Sequence, residues 1–329
     1  MKNIFDLKKL VLGAMVLILA YSLTAPLSAE EKYPSGPITI VFGFGAGGGG
    51  DLQIRMVAKE MQKEFKVPVI VENKAGGGGV LSWSIVQAAK PDGYTVVWLS
   101  SSLMMETVNT QGKVNYKNFE PVFMFQSTPG AVTVHKDAPY KTIDEFFAYA
   151  KANPFKVRVG NSGFGASWHV YAIIIEKLTG VKFTHVPFKT AADCGPALLG
   201  RHIEATTATP GDFQSSFSGG ELRVLATTGE ERDPFFPDAP TLKEKGVNFA
   251  MEMFRAVGVP KGTPKERIEI LEKACLKAIQ NPDYQDLLKR LRISNKFQGT
   301  TEFRKTYSQT AELVVPIMEE FVKSQKTQK

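Results

Sequence analysis

The stretch Pro37-Ile38-Thr39-Ile40-Val41-Phe42-Gly43-Phe44-Gly45-Ala46-Gly47-Gly48-Gly49-Gly50-Asp51 constrains the fold more than any other part of the chain. Its apolar, β-branched first half predicts a buried strand. The glycines predict a loop, after which Ile54, Val57, Ala58, Met61 and Phe65 fall on one face of a helix. A strand, a glycine loop and a helix start aim unpaired N–H groups and the positive end of a helix dipole at one point. Glycine also lets a ligand approach the backbone closely. Such a corner suits an anion.

Gly43-x-Gly45-x-x-Gly48 fits the dinucleotide fingerprint, and Glu72 ends the next predicted strand, near the acidic position which that fingerprint expects. An oxidoreductase using Gly43 to Gly48 is therefore one reading. The start of the chain argues against it. Lys2, Lys8 and Lys9 flank an apolar run over residues 10–19, and small residues surround Ser28-Ala29. These are the parts of a signal peptide over residues 1–29, cleaved near Ala29. The run is shorter than the ~20 residues a membrane span needs. An exported chain has no steady supply of cytosolic nicotinamide.

The formal charge of +7 includes the lysines of this segment, and the remaining excess is scattered, with no basic tract interleaved with aromatics. That composition argues against a nucleic-acid partner. Cys194 and Cys275 fall in predicted helices of different domains, which predicts two buried free thiols rather than a disulfide.

After removal of the signal, about 300 residues exceed one ordinary core and predict two α/β domains. Strands at 67–73 and 94–99 alternate with helices, which predicts a parallel sheet with its ligand side beyond the carboxyl ends of the strands. Extended segments at 119–126 and 130–135 cross to a second lobe. There a helix at 142–153, strands at 156–160, 183–186, 203–207 and 222–226, and helices at 169–179 and 191–199 repeat the rhythm. A second extended segment at 250–259 returns, and the remainder is helical. The first domain is thus discontinuous, 30–127 with 252–329. The second is 128–251, with hinge crossings near 125–131 and 250–257 and a ligand cleft between the lobes.

Loops at strand ends supply the candidate site. The first is Phe44, Ala46, Gly47, Gly48 and Asp51, with Asp51 placed as the helix N-cap. A second glycine cluster, Gly76 to Gly79, offers Gly77 and Gly78, and the third strand ends in Ser100-Ser101-Ser102, of which Ser101 is the candidate for the ligand. In the second lobe Ser162, Phe164 and Ser167 flank a loop before a helix, where the serines either donate to a ligand or cap the helix. Lys189 and Asp212 stand at loop–helix junctions, facing either the cleft or the surface. Phe44, Phe164 and Trp98 form an apolar end. On this reading backbone N–H groups and hydroxyls hold a carboxylate and no arginine is needed. His135, His169, His185 and His202 show no metal-ligand spacing, and no Walker A or G-x-S-x-G sequence is present. No cofactor, metal or catalytic constellation is expected.

Taken together, Tyr33-Pro34-Ser35-Gly36-Pro37-Ile38, the loop ending in Asp51 with Arg55 one turn on, Val71-Glu72-Asn73 and Pro91-Asp92-Gly93-Tyr94-Thr95 form an ordered pattern. His185-Val186-Pro187-Phe188-Lys189, Leu225-Ala226-Thr227-Thr228, Pro237-Asp238-Ala239-Pro240-Thr241-Leu242 and Pro260-Lys261-Gly262-Thr263-Pro264 continue it. The pattern resembles the periplasmic solute-binding proteins of the tripartite tricarboxylate transporter system, the Bug family. The resemblance implies an α/β, two-lobed periplasmic-binding-protein fold, each lobe a mainly parallel sheet flanked by helices. It also implies a monomeric, non-catalytic periplasmic binder that hands a carboxylate to a small and a large membrane subunit. By it, Phe44, Ala46, Gly47, Gly48, Asp51, Gly77, Gly78, Ser162 and Ser167 take binding roles. The chain departs from the family's habit at Gly43-Phe44-Gly45, at Phe188-Lys189-Thr190 and in lacking an alanine within the second glycine cluster. The expectation is capture of a di- or tricarboxylate or an aromatic acid. The alternatives are a ligand-dependent sensory partner of a membrane receptor and the dinucleotide enzyme above.

Overall fold

The computed structural model of the protein describes residues 32–47, 49–291 and 296–327. The expected signal peptide and Gly48 lie outside the described residues. The chain divides into residues 1–35 and a compact unit, residues 36–329, which holds every strand and helix named below.

β1 (Ile38–Phe42) runs through the first glycine loop into α1 (Gly49–Phe65). β2 (Val69–Asn73), a 3-10 turn at Gly77–Gly79 and α2 (Val80–Gln87) follow, then β3 (Thr95–Ser100) and α3 (Ser102–Asn109). β4 (Phe119–Pro129) passes over Gly130 into β5 (Ala131–His135) of a second sheet. That sheet is completed through α4 (Ile143–Ala152), β6 (Arg158–Asn161), α5 (Ser167–Thr179), β7 (Thr184–Pro187), α6 (Cys194–Leu199), β8 (Ala205–Thr206) and β9 (Leu222–Thr227). β10 (Glu252–Pro260) returns to the first sheet, and α7 (Lys265–Ile279), α8 (Pro282–Leu291) and α9 (Thr300–Thr327) end the chain.

The first sheet has the order β2-β1-β3-β10-β4 and the second β7-β6-β8-β5-β9. β1 pairs parallel with β2 and β3, whereas β10 is antiparallel to both β3 and β4. β6 pairs parallel with β7 and β8, whereas β5 is antiparallel to β8 and β9. Four strands of each sheet therefore share one direction. The reversed strand, β10 or β5, is in each case the one by which the chain enters from the other sheet. The result is a two-lobed α/β fold.

Local sequence accounts for most elements. Ile54, Val57, Ala58 and Met61 are buried along α1, as their spacing predicts, and Phe65 at its end is half-buried. α4 starts where Thr142 Oγ1 accepts the Glu145 N–H at 3.2 Å, an N-cap of ordinary chemistry. The strand expected at 203–207 is only Ala205–Thr206, and the helix expected from 191 opens as a 3-10 turn before Cys194. Cys194 in α6 and Cys275 in α7 are buried free thiols, and burial pushes the Cys194 thiol up to about 11.

The two glycine clusters pack backbone to backbone. A Cβ on Gly43 would lie 2.4 Å from Ser82 Oγ and 3.0 Å from Gly79 Cα. Gly79 has φ +111° and its Cβ would lie 2.7 Å from the Trp83 ring, so only glycine fits there. Trp83 is fully buried and donates Nε1–H to the Trp98 carbonyl at 2.9 Å, which ties α2 to β3.

Asp51 holds the first loop shut. It lies in the first turn of α1 rather than at the expected N-cap position, and its carboxylate reaches back. Oδ2 accepts the Gly47 N–H and the Arg55 Nε–H, both at 2.9 Å, and Oδ1 accepts Asn73 Nδ2–H at 2.8 Å. Asn73 also donates to the Phe44 carbonyl at 3.2 Å and accepts from Arg55 Nη2 at 2.6 Å. Burial acts to raise this carboxyl, but the bonds from Arg55, Gly47 and Asn73 outweigh it and hold the carboxyl below its ordinary 3.8.

The crossings between the sheets also meet tightly. A Cβ on Gly130 would stand 2.7 Å from the Thr207 carbonyl and 2.8 Å from the Tyr171 ring. The Gly130 N–H donates to Thr228 Oγ1 at 2.9 Å, and that hydroxyl donates to the Met251 carbonyl at 2.6 Å. Backbone bonds from Thr228 N–H to Gly130 O and from Met251 N–H to Thr228 O, at 2.9 and 2.8 Å, complete the junction.

Two outcomes are expected. Gly130→Val overpacks the junction and lowers stability by about 2 kcal/mol, read as a lower urea midpoint; an unchanged midpoint would show that the crossing has room. Asp51→Ala, which leaves the Gly47 N–H, Arg55 and Asn73 without their acceptor, costs about 1–3 kcal/mol at neutral pH. Because the folded carboxyl titrates low, this difference is complete above the ordinary value of 3.8 and shrinks as pH falls through the lower folded value. Thermal melts of both proteins from pH 7 down to pH 3 check the sign.

Candidate functional site

A cavity of about 620 Å3 lies between the two sheets, beyond the carboxyl ends of the strands that run together. The first sheet supplies one face of its strands. Phe42 ends β1, Trp98 and Ser100 end β3, and Gln126 and Thr128 alternate along β4 with Met253 and Arg255 opposite them on β10. The register pairs Arg255 with Ser100 on one side and Gln126 on the other, so all three side chains share a face. A bulge follows immediately, between Arg255 and Ala256. Bulges of this kind re-aim a side chain next to a site.

Helix starts supply the rim. Gly49, Gly50 and Asp51 of α1 and Ser102 of α3 line the cavity, and Trp168 comes from the first turn of α5. Ser102 Oγ lies 3.2 Å from Ser167 Oγ, a hydrogen bond between helix starts of the two lobes. From the second lobe Thr209, Asp212, Gln214 and Phe217 line it on the 3-10 segment at Pro210–Phe217 and its approach, with Asp233, Phe235 and Phe236 beyond β9.

The wall is largely aromatic. Phe42 packs edge-on against Phe44 and Trp98, with centroids at 5.7 and 5.2 Å. Phe217 meets Phe236 at 5.4 Å on the other side. The polar groups are held in place: Gln53 donates to Gln126 Oε1 at 2.9 Å, and Gln126 donates to Thr128 Oγ1 at 2.8 Å.

Arg255 is the one cation among the described residues that line the cavity. Its guanidinium makes no hydrogen bond or ion pair to the described residues; the opposite charge it feels is that of Asp212. Burial lowers the Arg255 pKa and Asp212 opposes that shift, which leaves an arginine charged at neutral pH and short of hydrogen-bond acceptors. Asp212 is raised by burial, against the pull of Arg255 and of the Trp168 Nε1–H that it accepts at 3.0 Å. Such a desolvated cation facing open space can take a carboxylate bidentately.

Of the residues expected from sequence, Phe44, Asp51 and Asp212 line this cavity. Trp98, expected at an apolar end, lines it too. Ala46 and Gly47 lie on the first loop outside the lining, and the Gly47 N–H is taken by Asp51. Gly77 and Gly78 are exposed with φ of +55° and +65°, and lie away from the lining. Ser101 is buried and accepts the Phe254 N–H at 2.9 Å, so it fastens α3 to β10 while Ser100 and Ser102 face the cavity. Ser167 is buried one hydrogen bond behind Ser102, and Ser162 is half-buried on its loop.

Phe164 is 63% exposed and packs edge-on against His169 at 5.1 Å instead of entering the cavity. His169 is itself structural. Its Nδ1 accepts the Gly165 N–H at 2.9 Å, and burial, with the neighbouring His185, pushes its pKa down to about 3. Lys189 is exposed and stands outside the lining. Glu72, the acidic member of the dinucleotide fingerprint, pairs with Lys74 at 3.2 Å at the surface. Among the described residues no group of His, Cys, Asp and Glu is placed to hold a metal ion, and no helix is long and apolar enough to cross a membrane.

Sequence reasoning missed Arg255, Trp168, Gln126 and the second-lobe phenylalanines. One signal was available for the first of these: Arg255 is the single basic residue in the extended run Ala250 to Val259. A charge inside an apolar strand marks either an edge or a site.

Comparison with known proteins places the chain in a family. The UPF0065 protein in the gbd 5'region of Cupriavidus necator is 33% identical over 298 residues, covering 89% of this chain and 90% of its own length. A ligand-free TctC solute-binding protein from Polaromonas shares the fold with a TM-score of 0.80 at 35% identity, over 88% of this chain and 99% of that one. The periplasmic binding protein BugD gives 0.66 at 28% identity, over 89% and 98%. Residues 53–321 match the model of the TctC family, the tripartite tricarboxylate transporter family receptors. The chain belongs to that receptor family.

Proposed function

We propose that this protein captures an organic carboxylate in the cavity between its sheets and delivers it to the small and large membrane subunits of a tripartite tricarboxylate transporter. The observation that carries the ligand class is Arg255, a half-buried cation without a hydrogen-bonding partner among the described residues, which lines a cavity of about 620 Å3. The hydroxyls of Ser100, Ser102, Thr128 and Thr209 and the start of α1 supply further donors around it. Two proteins of Rhodopseudomonas palustris with the same fold, at 23% and 24% identity, hold adipate and malate, so the architecture can enclose a dicarboxylate.

In this reading the protein works in the periplasm as a monomer, without cofactor or catalysis. The lobes, 30–127 with 252–329 and 128–251, close on the ligand about the crossings near 125–131 and 250–257. Phe44, Asp51 and Asp212 shape the cavity. Ser167 acts through its hydrogen bond to Ser102, and Ala46 and Gly47 through the first loop, whose backbone Asp51 fixes. The energetics suit capture and release. Four or five bonds from Arg255, the hydroxyls and the start of α1, at about 1.5–3 kcal/mol each before binding costs, give about micromolar binding.

Arg255→Gln tests this. Calorimetry against the carboxylate that the wild-type protein binds should show at least a thirtyfold weaker Kd, roughly 2 kcal/mol. The unliganded protein should stay folded, because removing a desolvated cation also removes a desolvation cost. Equal affinity in the variant would take Arg255 out of the site. Loss of carboxylate uptake on deleting this protein or either membrane subunit would support delivery; uptake that persists without this protein would refute it.

A further inference from the structure

The charges around the cavity narrow the ligand beyond its class, given the carboxylate-binding reading above. Among the described residues four charged side chains line it: Arg255, Asp51, Asp212 and Asp233. Asp51 is neutralised by Arg55, Asn73 and the Gly47 N–H. Glu252, which acts on Asp233 from beside the cavity, is paired with Lys296, which acts on it with the opposite sign. Those two fields offset each other. Asp212 and Asp233 have no ion pair among the described residues. Each accepts one protein hydrogen bond, Asp212 Oδ2 from Trp168 Nε1 at 3.0 Å and Asp233 Oδ1 from the Phe235 N–H at 2.8 Å. Each keeps a second carboxylate oxygen for a ligand. Among the described residues, one positive charge therefore faces two negative charges before any ligand enters.

A ligand with one carboxylate restores a partner to Arg255. Its second or third carboxylate would meet Asp212 or Asp233 in a desolvated space, where like charges repel most strongly. The body of the ligand has to match a wall of rings: Phe42, Phe44 and Trp98 on one side, Trp168, Phe217 and Phe236 on the other. Flat rings stack edge-on or offset against such walls better than a flexible chain does. The free oxygens of Asp212 and Asp233 ask for donors, not acceptors.

We infer that the ligand is an aromatic monocarboxylate bearing a hydrogen-bond donor, a hydroxyl or an amino group, at the end remote from its carboxylate. The carboxylate sits on Arg255, the ring lies between the aromatic walls, and the donor reaches Asp233. The cavity of about 620 Å3 is in the range that encloses small organic ligands almost completely.

The test is calorimetry on the exported protein, freed of endogenous ligand by unfolding and refolding, with four probes: 4-hydroxybenzoate, benzoate, terephthalate and citrate. Binding of 4-hydroxybenzoate at least tenfold tighter than terephthalate or citrate, and tighter than benzoate, is the expected order. Asp233→Asn should narrow the gap between 4-hydroxybenzoate and terephthalate by several-fold, and Asp212→Asn serves as the second variant if the first does not fold. Citrate or terephthalate binding as tightly as 4-hydroxybenzoate would overturn the inference and leave the carboxylate reading standing. No binding of any probe, and none of a series of aliphatic acids, would overturn both.

Discussion

The antiparallel pairing of β4 with β10 is the interaction on which the rest of the structure depends. β4 runs on directly into the second sheet, and β10 is where the chain comes back. Their register extends from Phe119 opposite Pro260 to Pro129 opposite Glu252. This one ladder holds the two sheets in a single molecule and closes the first sheet beside β3. It also decides the chemistry of the cavity. Side chains alternate along both strands, so the face that carries Arg255 and Met253 carries Gln126 and Thr128 as well. Slipping the register by one residue would bury Arg255 against the helices and turn Phe254 to the cavity.

The electrostatics divide the site in two. At the first loop every charge has a partner: Asp51, Arg55 and Asn73 exchange hydrogen bonds and fix the backbone of the glycines. Across the cavity the charges are left short. Arg255 has no hydrogen-bond partner among the described residues, and burial opposes ionisation of both Arg255 and Asp212. A folded protein leaves a cation in that condition at a cost. The same condition lets an incoming anion bind strongly, because among the described residues the guanidinium has no acceptor to give up when the ligand arrives.

Much of the fold was legible because local rules and global packing agree. The apolar face of α1, the Thr142 cap and the β-branched runs of β1 and β2 follow from spacing and propensity alone. The two sheets followed from the alternation of strands and helices, and Asp212 from its place at a turn before a helical segment. The site was less legible, for reasons of parity and packing. Ser101 was preferred over Ser100 and Ser102, but β3 ends and α3 begins around it, and that join turns the middle serine toward β10. The second glycine cluster read as a ligand loop, yet Gly79 answers to the ring of Trp83 and Gly43 to Ser82. Phe164 read as a cavity wall, but the His169 side chain, pinned by the Gly165 N–H, draws it outward. Arg255 was hidden because its partners are forty to more than one hundred residues away in sequence, and nothing local says which face of a crossing strand it will take.

The Thr228 hydroxyl, which receives the Gly130 N–H and donates to the Met251 carbonyl, has a mechanical consequence. One oxygen atom is a common bearing for both passages between the sheets. Sliding the lobes past each other would pull Gly130 and Met251 in different directions and break one of the two bonds. Swinging them about that point keeps both. In the closure proposed above, the junction therefore favours rotation over shear, because rotation leaves both bonds in place.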